Sequence, residues 1–332
     1  MKRYTCPSCS SPVFFDSAVC LSCALTLAYD DHADAFRTDV RVCAQSMSAD
    51  RCNWMARTPG TWCTACQLDV DHGNDPSRLP FQEAKRRVVR QLSRLGVSLG
   101  EDPPLRFEYR FGTVQSPTII GHSDGLITLD TAESDPAQIE QVRTQLGEPY
   151  RRPLGHVRHE VGHWFWQSWR DRSFTIDEFR AVFGDERLDY DDALARHYSA
   201  VDDGAWTAEF ISFYASTHPW EDFAESFAHV LHIIDTVETA RAFGVSSPAA
   251  TARLDRLDDP NQFNSLYEEW TSLSVALNEL NRSMGTADAY PFAPAARAVD
   301  KLRFVAAVLS RSGDAPSIAP VHDVSSGAGL PT

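Results

Sequence analysis

Apolar positions recur at two different spacings along the chain, and these spacings separate predicted helices from predicted strands. Residues 80–97 carry apolar side chains on one side of an amphipathic helix, with Gly96 as a plausible C-cap. Residues 105–111 and 118–130 alternate and contain β-branched residues, which predicts strands. Helical spacing then returns in six segments, at 135–146, 151–169, 174–198, 205–236, 270–284 and 298–311. Strands followed by helices predict an α+β fold that is mostly helical.

The predicted helix over 151–169 carries the first candidate chemistry. Its apolar residues recur at helical spacing, at Val157, Val161, Phe165 and Trp169. His159 and His163 are four residues apart and share one face, where a single Zn²⁺ can bind both imidazoles at about 2.0–2.1 Å. Glu160 can accept a proton from water that this metal activates. The alternative is a buried helix whose histidines are four apart by chance.

A third metal ligand is predicted in a later helix. Glu221 and Glu225 lie one turn apart, and Pro219 suits the first turn of their helix. Two carboxylates on the partly buried face of an aromatic-rich helix are costly unless they are paired or bind a metal. We therefore predict that Glu221 is the third ligand. Glu225 would accept a hydrogen bond from the distal N–H of a ligand histidine. A solvated acidic face is the alternative.

All eight cysteines fall within the first 66 residues. Two CxxC pairs have the spacing of a zinc ribbon, with the predicted ligands Cys6, Cys9, Cys20 and Cys23. Between them, residues 12–15 predict part of a small hairpin. The second group is less regular and fits another Cys₄ zinc site, formed by Cys43, Cys52, Cys63 and Cys66. Disulfides or a redox CxxC are the alternatives; a reducing location and the lack of a βαβ pattern argue against them.

These patterns divide the chain into three predicted regions. Residues 1–74 contain few long apolar runs, so two structural zinc ions would supply the folding free energy of a double zinc-ribbon domain. Residues 77–312 would form the larger domain, which holds one catalytic zinc ion. Residues 313–332 are rich in Gly, Pro and Ser and are predicted to be disordered.

The net charge limits the expected partners. The formal charge is −15 over 332 residues, so general binding to nucleic acid or to anionic membranes is not expected. One basic cluster falls in a helical pattern and is interpreted as a solvated face: Lys85, Arg86, Arg87 and Arg90. No apolar run approaches the ~18–20 residues of a membrane span, and no secretory h-region opens the chain. We therefore expect a cytoplasmic protein.

Together these motifs resemble known metallopeptidases. HExxH followed by Glu-x-x-x-Glu on a later helix resembles the gluzincins, and residues 214–225 look like the matching stretch of their lethal-factor-like members. That resemblance implies that Tyr214, seven residues before Glu221, stabilises the oxyanion, and that Glu225 supports a ligand. A buried core tyrosine is the alternative for Tyr214.

A wider similarity covers residues 1–310. Over this range the chain is similar to a bacterial family of zinc-binding metallopeptidases with an N-terminal zinc ribbon, which implies a zincin-like core and peptidase chemistry. The similarity is carried by the CxxC pairs and by short segments at 52–54, 84–87, 121–122, 155–160, 218–222 and 281–285.

The expected activity is hydrolysis of a peptide or protein substrate. Activated water would attack the carbonyl, Glu160 would pass its proton to the leaving nitrogen, and the strand over 118–130 would bind an extended substrate by β-augmentation. The alternative is a zinc-binding scaffold with the same core but no turnover; the presence of Glu160 favours the enzyme.

The sequence says less about the roles of the zinc ribbons and of the remaining histidines. The ribbons could dock protein partners, whereas the sparse basic residues near them argue against nucleic acid. Five further histidines are interpreted as structural: His122, His156, His218, His229 and His232.

Overall fold

The computed structural model describes residues 1–38, 41–112, 120–135, 152–246 and 252–313. Within these ranges the chain combines small sheets with long helices, so the predicted α+β class is confirmed. The helix predicted over 135–146 and the tail predicted over 313–332 fall, apart from one residue each, outside the described residues.

Short antiparallel pairs of strands form the N-terminal part of the chain. Strands β1 (Tyr4–Thr5) and β2 (Pro12–Val13) form the predicted hairpin, with Tyr4 opposite Val13. Strand β3 (Ala28–Asp30) pairs with β4 (Ala35–Arg37). Strands this short bury little apolar surface, and six of the eight cysteines belong to the buried core of this region. Cys23 is partly buried against that core, and Cys9 is exposed.

A three-stranded sheet precedes the helical part. Its strands are β5 (Arg106–Arg110), β6 (Gly121–Ser123) and β7 (Leu126–Asp130), in the order β5-β7-β6. Strand β7 is parallel to β5 and antiparallel to β6. The predicted strand segment 118–130 is thus two strands joined by a tight turn. Gly125 has a positive φ of 81°, and a Cβ there would lie 2.4 Å from the Pro104 carbonyl oxygen, so the turn requires glycine.

Three helices lie close to their predicted bounds, those over 80–97, 151–169 and 298–311, and the others differ. The segment 174–198 contains two helices, the helix that begins at Pro219 continues beyond 236 to Phe243, and the helix predicted over 270–284 begins ten residues earlier, at Pro260. Helix α1 is Leu79–Arg94 and α2, which holds HExxH, is Pro153–Trp169. Gly96, two residues after α1, has the positive φ expected of a C-cap glycine. The remaining helices are α3 Ile176–Phe183, α4 Tyr190–Ser199, α5 Pro219–Phe243, α6 Pro260–Ser283 and α7 Ala296–Gly313. No helix in the described ranges is both long and apolar enough to cross a membrane.

Helices α2 and α5 cross at contact distance, and Gly162 permits this. A Cβ on Gly162 would lie 3.0 Å from the Ala224 Cα and 3.1 Å from the Phe227 Cβ. The glycine belongs to the HExxH segment, and Ala224 follows Glu221 by less than one turn. Small residues at the crossing therefore bring the two sets of predicted ligands within reach of each other.

The basic cluster on α1 is buried, so its interpretation as a solvated face was wrong. Lys85 is fully buried, and Arg86 and Arg90 are each 2% exposed. The Lys85 Nζ lies 2.5 Å from the Asp69 Oδ1, and Arg90 donates to both oxygens of Asp34 at 3.0 Å.

Two further contacts and the packing of α1 explain this burial. Arg87 pairs with Asp16, and the Arg86 guanidinium donates to the Asp50 carbonyl oxygen at 3.3 Å. The apolar face of α1 packs into the main core, while this basic face lies against the cysteine-rich N-terminal region. The helical pattern identified one buried face, but α1 has two.

Substitution of the buried pair Lys85 and Asp69 tests the interface between α1 and the N-terminal region. Lys85→Met should lower the free energy of unfolding by about 3–5 kcal/mol, because the Asp69 carboxylate would stay buried with the Gln82 amide as a hydrogen-bond donor but without a counter-ion. Chemical denaturation of the zinc-loaded chain measures the loss. The double substitution Lys85→Met with Asp69→Leu should recover most of it, since no unpaired charge remains.

A surface ion pair supplies the control. Arg282 and Asp288 are paired at 2.8 Å, but Arg282 is mostly exposed, so Arg282→Met should cost less than about 1 kcal/mol. Equal losses for Lys85→Met and Arg282→Met would contradict a role for the buried pair in fastening the N-terminal region.

Candidate metal centre and catalytic site

The three predicted metal ligands converge on one point. The Nε2 atoms of His159 and His163 are 3.1 Å apart. The Glu221 Oε2 lies 3.0 Å from the first and 3.3 Å from the second. All three side chains are buried. Helix α2 supplies both histidines from adjacent turns of one face, and α5 supplies the carboxylate from its first turn.

The donor atoms have the spacing that tetrahedral zinc requires. Bonds of about 2.0–2.1 Å at tetrahedral angles place neighbouring donors about 3.3–3.4 Å apart, close to the separations in this triad. Two imidazoles with one carboxylate are also a typical donor set of catalytic zinc sites, which keep one position for water or substrate. The residues therefore fit a zinc ion, and their role as ligands stays a prediction that this geometry supports.

A carboxylate and a phenol orient the triad from outside. The His159 Nδ1 donates to the Glu225 Oε1 at 2.8 Å, the contact expected for Glu225. The other Glu225 oxygen accepts from the Ser212 hydroxyl at 2.7 Å. The Tyr190 hydroxyl donates to the free Glu221 oxygen, Oε1, at 2.7 Å. Both carboxylates thus have a fixed orientation relative to the donor atoms.

Glu160 is held by one oxygen only. Its Oε1 lies 3.3 Å from the His156 Nε2, and the Nδ1 of the same imidazole lies 3.3 Å from the Glu133 Oε2. The Glu160 Oε2 is buried and has no hydrogen-bond partner among the described residues. Burial lowers the pKa of His156, but the hydrogen bonds to the two carboxylates outweigh it and raise that pKa to about 9. His156 is therefore a cation between Glu133 and Glu160 at neutral pH.

Sequence reasoning missed three residues that touch the site. The structural interpretation of His156 left out its contact with Glu160, although its position one turn before Glu160 was a usable signal. Tyr190 has no such signal, because it comes from a separate helix. The Trp220 ring packs on the His163 imidazole with centroids 3.8 Å apart, and only its position next to Glu221 could have suggested this.

Tyr214 lies beside the predicted ligand histidine His159. Its ring is 5.9 Å from the His159 ring, and it lines a cavity together with Glu160. Burial raises the pKa of the Tyr214 hydroxyl far above its ordinary value, so the group keeps its proton and can donate a hydrogen bond. Whether it stabilises an oxyanion stays a prediction.

The other four histidines make local contacts. The His122 Nε2 accepts from the Gly125 amide, and burial lowers the pKa of His122 to about 4. His218 is the N-cap of α5 and accepts from the Trp220 amide through Nδ1. His229 bonds with the Tyr290 hydroxyl at 2.8 Å, and His232 stacks on the Tyr290 ring. These contacts fit the structural interpretation of the four residues.

The eight cysteines form the two predicted clusters. In the first, the Sγ–Sγ distances include 3.7 Å for Cys6 and Cys23 and 3.5 Å for Cys9 and Cys20. In the second, Cys52 and Cys63 are 3.6 Å apart, and Cys43 and Cys66 complete the group. Four thiolates bound to zinc at about 2.3 Å would lie about 3.8 Å apart. Both clusters therefore fit structural zinc.

Comparisons with known proteins agree with this geometry. Residues 79–308 match the family described as "Putative zinc-binding metallo-peptidase". The chain belongs to this family. Residues 3–39 match a zinc-ribbon domain. Uncharacterized proteins of Mycobacterium tuberculosis and Mycobacterium bovis are each 35% identical over 340 residues, covering 97% of this chain and 98% of the relative. No solved structure matches the chain.

Substitution of the two carboxylates on α5 should separate their roles. Glu221→Ala should remove zinc from the histidine site, because one of three donors is lost. Glu225→Ala should keep the zinc with affinity lowered about 10–100-fold, because it removes only the partner of the His159 Nδ1. Chelator competition with elemental analysis of the full chain measures both effects.

The exposed carboxylate of Glu268 on α6 provides the control, and Glu268→Ala should leave zinc affinity unchanged. Zinc retained in Glu221→Ala, or lost equally in both α5 variants, would show that the two roles are assigned wrongly.

The position of His156 between two carboxylates predicts a pH dependence. Its pKa is raised above the ordinary 6.5 to about 9, so its contribution to stability is complete below pH ~6.5 and is lost as the pH rises through about 9. Glu133→Gln should lower the pKa of His156 and weaken this loss. Histidine-ring NMR of the zinc-loaded chain measures the pKa, and denaturation between pH 6 and 9.5 measures the stability.

His229 is the internal reference for this titration. Burial lowers its pKa to about 4, so its ring should stay neutral across the same pH range. A His156 ring that titrates near 6.5 in both the unchanged chain and Glu133→Gln would contradict the proposed charge.

Proposed function

We propose that this chain is a zinc-dependent peptidase that hydrolyses peptide bonds with Glu160 as general base. The observation that carries the proposal is the Glu160 carboxylate, which faces a cavity beside the predicted ligands. One of its oxygens is held by His156 and the other is buried without a partner in the described part of the chain. A buried acceptor without a donor is costly, and water or a substrate group would satisfy it.

The residues around this oxygen supply the remaining chemistry. His159, His163 and Glu221 would hold a zinc ion, which would supply Lewis-acid chemistry that lowers the pKa of water and polarises a carbonyl. Glu160 would take a proton from water at Oε2 as the water oxygen bonds to the carbonyl carbon. It would deliver this proton to the nitrogen that leaves when the C–N bond breaks, while the His156 cation holds Oε1 in place. The Tyr214 hydroxyl, which keeps its proton, donates to the negative oxygen that develops on the attacked carbonyl.

We further propose a content of three zinc ions per chain. The two cysteine clusters are closed sets of four donors, which suits structural zinc, and the histidine set has only three protein donors. Thiolate clusters of this kind persist in a reducing compartment, so we place the protein in the cytoplasm. A peptide or protein is the proposed substrate.

Glu160→Gln tests the catalytic proposal directly. The substitution keeps the size of the side chain and the three ligands but removes the base, so zinc content should stay at three per chain. Turnover should fall by about 10²–10⁴-fold or more. New protein termini in a cell extract treated with each variant, together with elemental analysis, give the two measurements.

Glu268→Gln on the exposed face of α6 is the matched control and should cleave like the unchanged chain. Identical cleavage by Glu160→Gln would rule out Glu160 as the base. If the zinc-loaded unchanged chain cleaves nothing, and Glu160→Gln keeps every binding partner, the protein is a zinc-binding scaffold instead.

A further inference from the structure

A cavity of about 690 Å³ opens beside the predicted metal centre. His159, Glu160 and Tyr214 form the side nearest the ligands. The rest of the lining consists largely of aromatic rings from α4, from the segment before α5 and from the segment before α7: Tyr190, Tyr198, Trp206, Phe210, Phe213 and Phe292. We call the part of the cavity formed by these six rings the aromatic pocket.

We propose that the aromatic pocket binds a bulky aromatic or aliphatic side chain of the substrate, next to the bond that is cleaved. This inference rests on the proposed peptidase function and names the class of peptide that it acts on. The pocket shares the cavity with Glu160, so a side chain bound there belongs to a residue whose backbone lies at the predicted reaction centre.

The size and composition of the cavity support this assignment. Its volume lies within the range of about 300–1,000 Å³ typical of small-molecule sites, which leaves room for a ring and the adjoining backbone. Several of the rings keep accessible surface: Tyr198 is 61% exposed, and Trp206, Phe210 and Phe213 are half-buried. Covering such surface with an apolar side chain releases water and is favourable.

The charges around the cavity disfavour acidic side chains. Asp202, Glu160 and Glu225 line it, and none of its described lining residues is Lys or Arg. Burial lowers the pKa of His197, so this ring adds no positive charge at neutral pH. The His156 cation is already paired with two carboxylates. An acidic side chain would therefore lose its water and gain no cationic partner.

Internal contacts hold the wall of the pocket in place. The Asp202 carboxylate accepts from the Trp206 indole N–H at 2.7 Å and from the Gly204 amide at 3.0 Å. The Phe213 ring lies against the His197 ring with centroids 4.3 Å apart, and His197 meets Tyr214 edge-on. These contacts position two of the six rings, Trp206 and Phe213, so this part of the wall is formed before the substrate binds.

Peptide-like hydroxamates that bind zinc test this selectivity without turnover. The probes are N-acetyl hydroxamates of phenylalanine, leucine, glycine and aspartate, and their affinities for the zinc-loaded full chain are measured by calorimetry. Phenylalanine and leucine hydroxamates should bind about 10–100-fold more tightly than glycine hydroxamate, the gain expected for burying one large apolar side chain. Aspartate hydroxamate should bind no better than glycine hydroxamate.

Leu194→Trp fills the pocket from the α4 wall. The variant should lose the preference for phenylalanine and keep its affinity for glycine hydroxamate, which shows that the metal centre and the fold remain intact. Leu280→Trp, at an exposed position of α6, is the matched control and should keep the full preference.

The outcomes separate this inference from the proposed function. Equal affinities for phenylalanine and glycine hydroxamates, or a preference that survives Leu194→Trp, would overturn the pocket assignment and leave the metal centre unaffected. If no hydroxamate binds to protein that elemental analysis shows to hold three zinc ions, the proposed function fails, and this inference fails with it.

Discussion

The crossing of α2 and α5 is the contact on which the site depends. The candidate ligands come from positions about 60 residues apart in the sequence, and no local structure brings them together. They meet because Gly162 lets the two backbones approach so closely that a Cβ at this position would lie 3.0 Å from the Ala224 Cα and 3.1 Å from the Phe227 Cβ. A longer separation would place the Glu221 carboxylate beyond the reach of a zinc ion held by the histidines. The glycine of the HExxH segment thus has a packing role as specific as the roles of its histidines.

Buried charge connects this crossing to the N-terminal region. Helix α1 packs on α2 through its apolar face and presents Lys85, Arg86 and Arg90 to the cysteine-rich segment. Arg90 reaches both Asp34 of that segment and Glu238 of α5. Cations buried in this way require partners, so the N-terminal region must occupy one place relative to α5. The cysteine clusters therefore stabilise a segment that packs against the helices of the metal centre and helps to hold them in place.

Hydrogen bonds also orient the side chains at the centre of the site. Glu225 accepts from the outer nitrogen of His159, Tyr190 donates to the outer oxygen of Glu221, and Ser212 donates to Glu225. His156 contacts one oxygen of Glu160, and the other oxygen is buried without a partner among the described residues. Because Glu160 also lines the cavity, this oxygen offers a position at which water or a reacting group can bind.

The sequence by itself determined the features that depend on local spacing. HExxH placed two imidazoles on one helical face, the CxxC pairs indicated ribbon geometry, and Glu221 and Glu225 shared one face of their helix, because these relations follow from the turn of the helix or from a tight loop. Tertiary structure alone decided the rest. It buried Lys85 and Arg90, because a helical pattern cannot show that a second region covers the polar face. It brought Tyr190 to Glu221 and the aromatic rings to one cavity, because contacts between distant segments depend on packing that no single segment encodes.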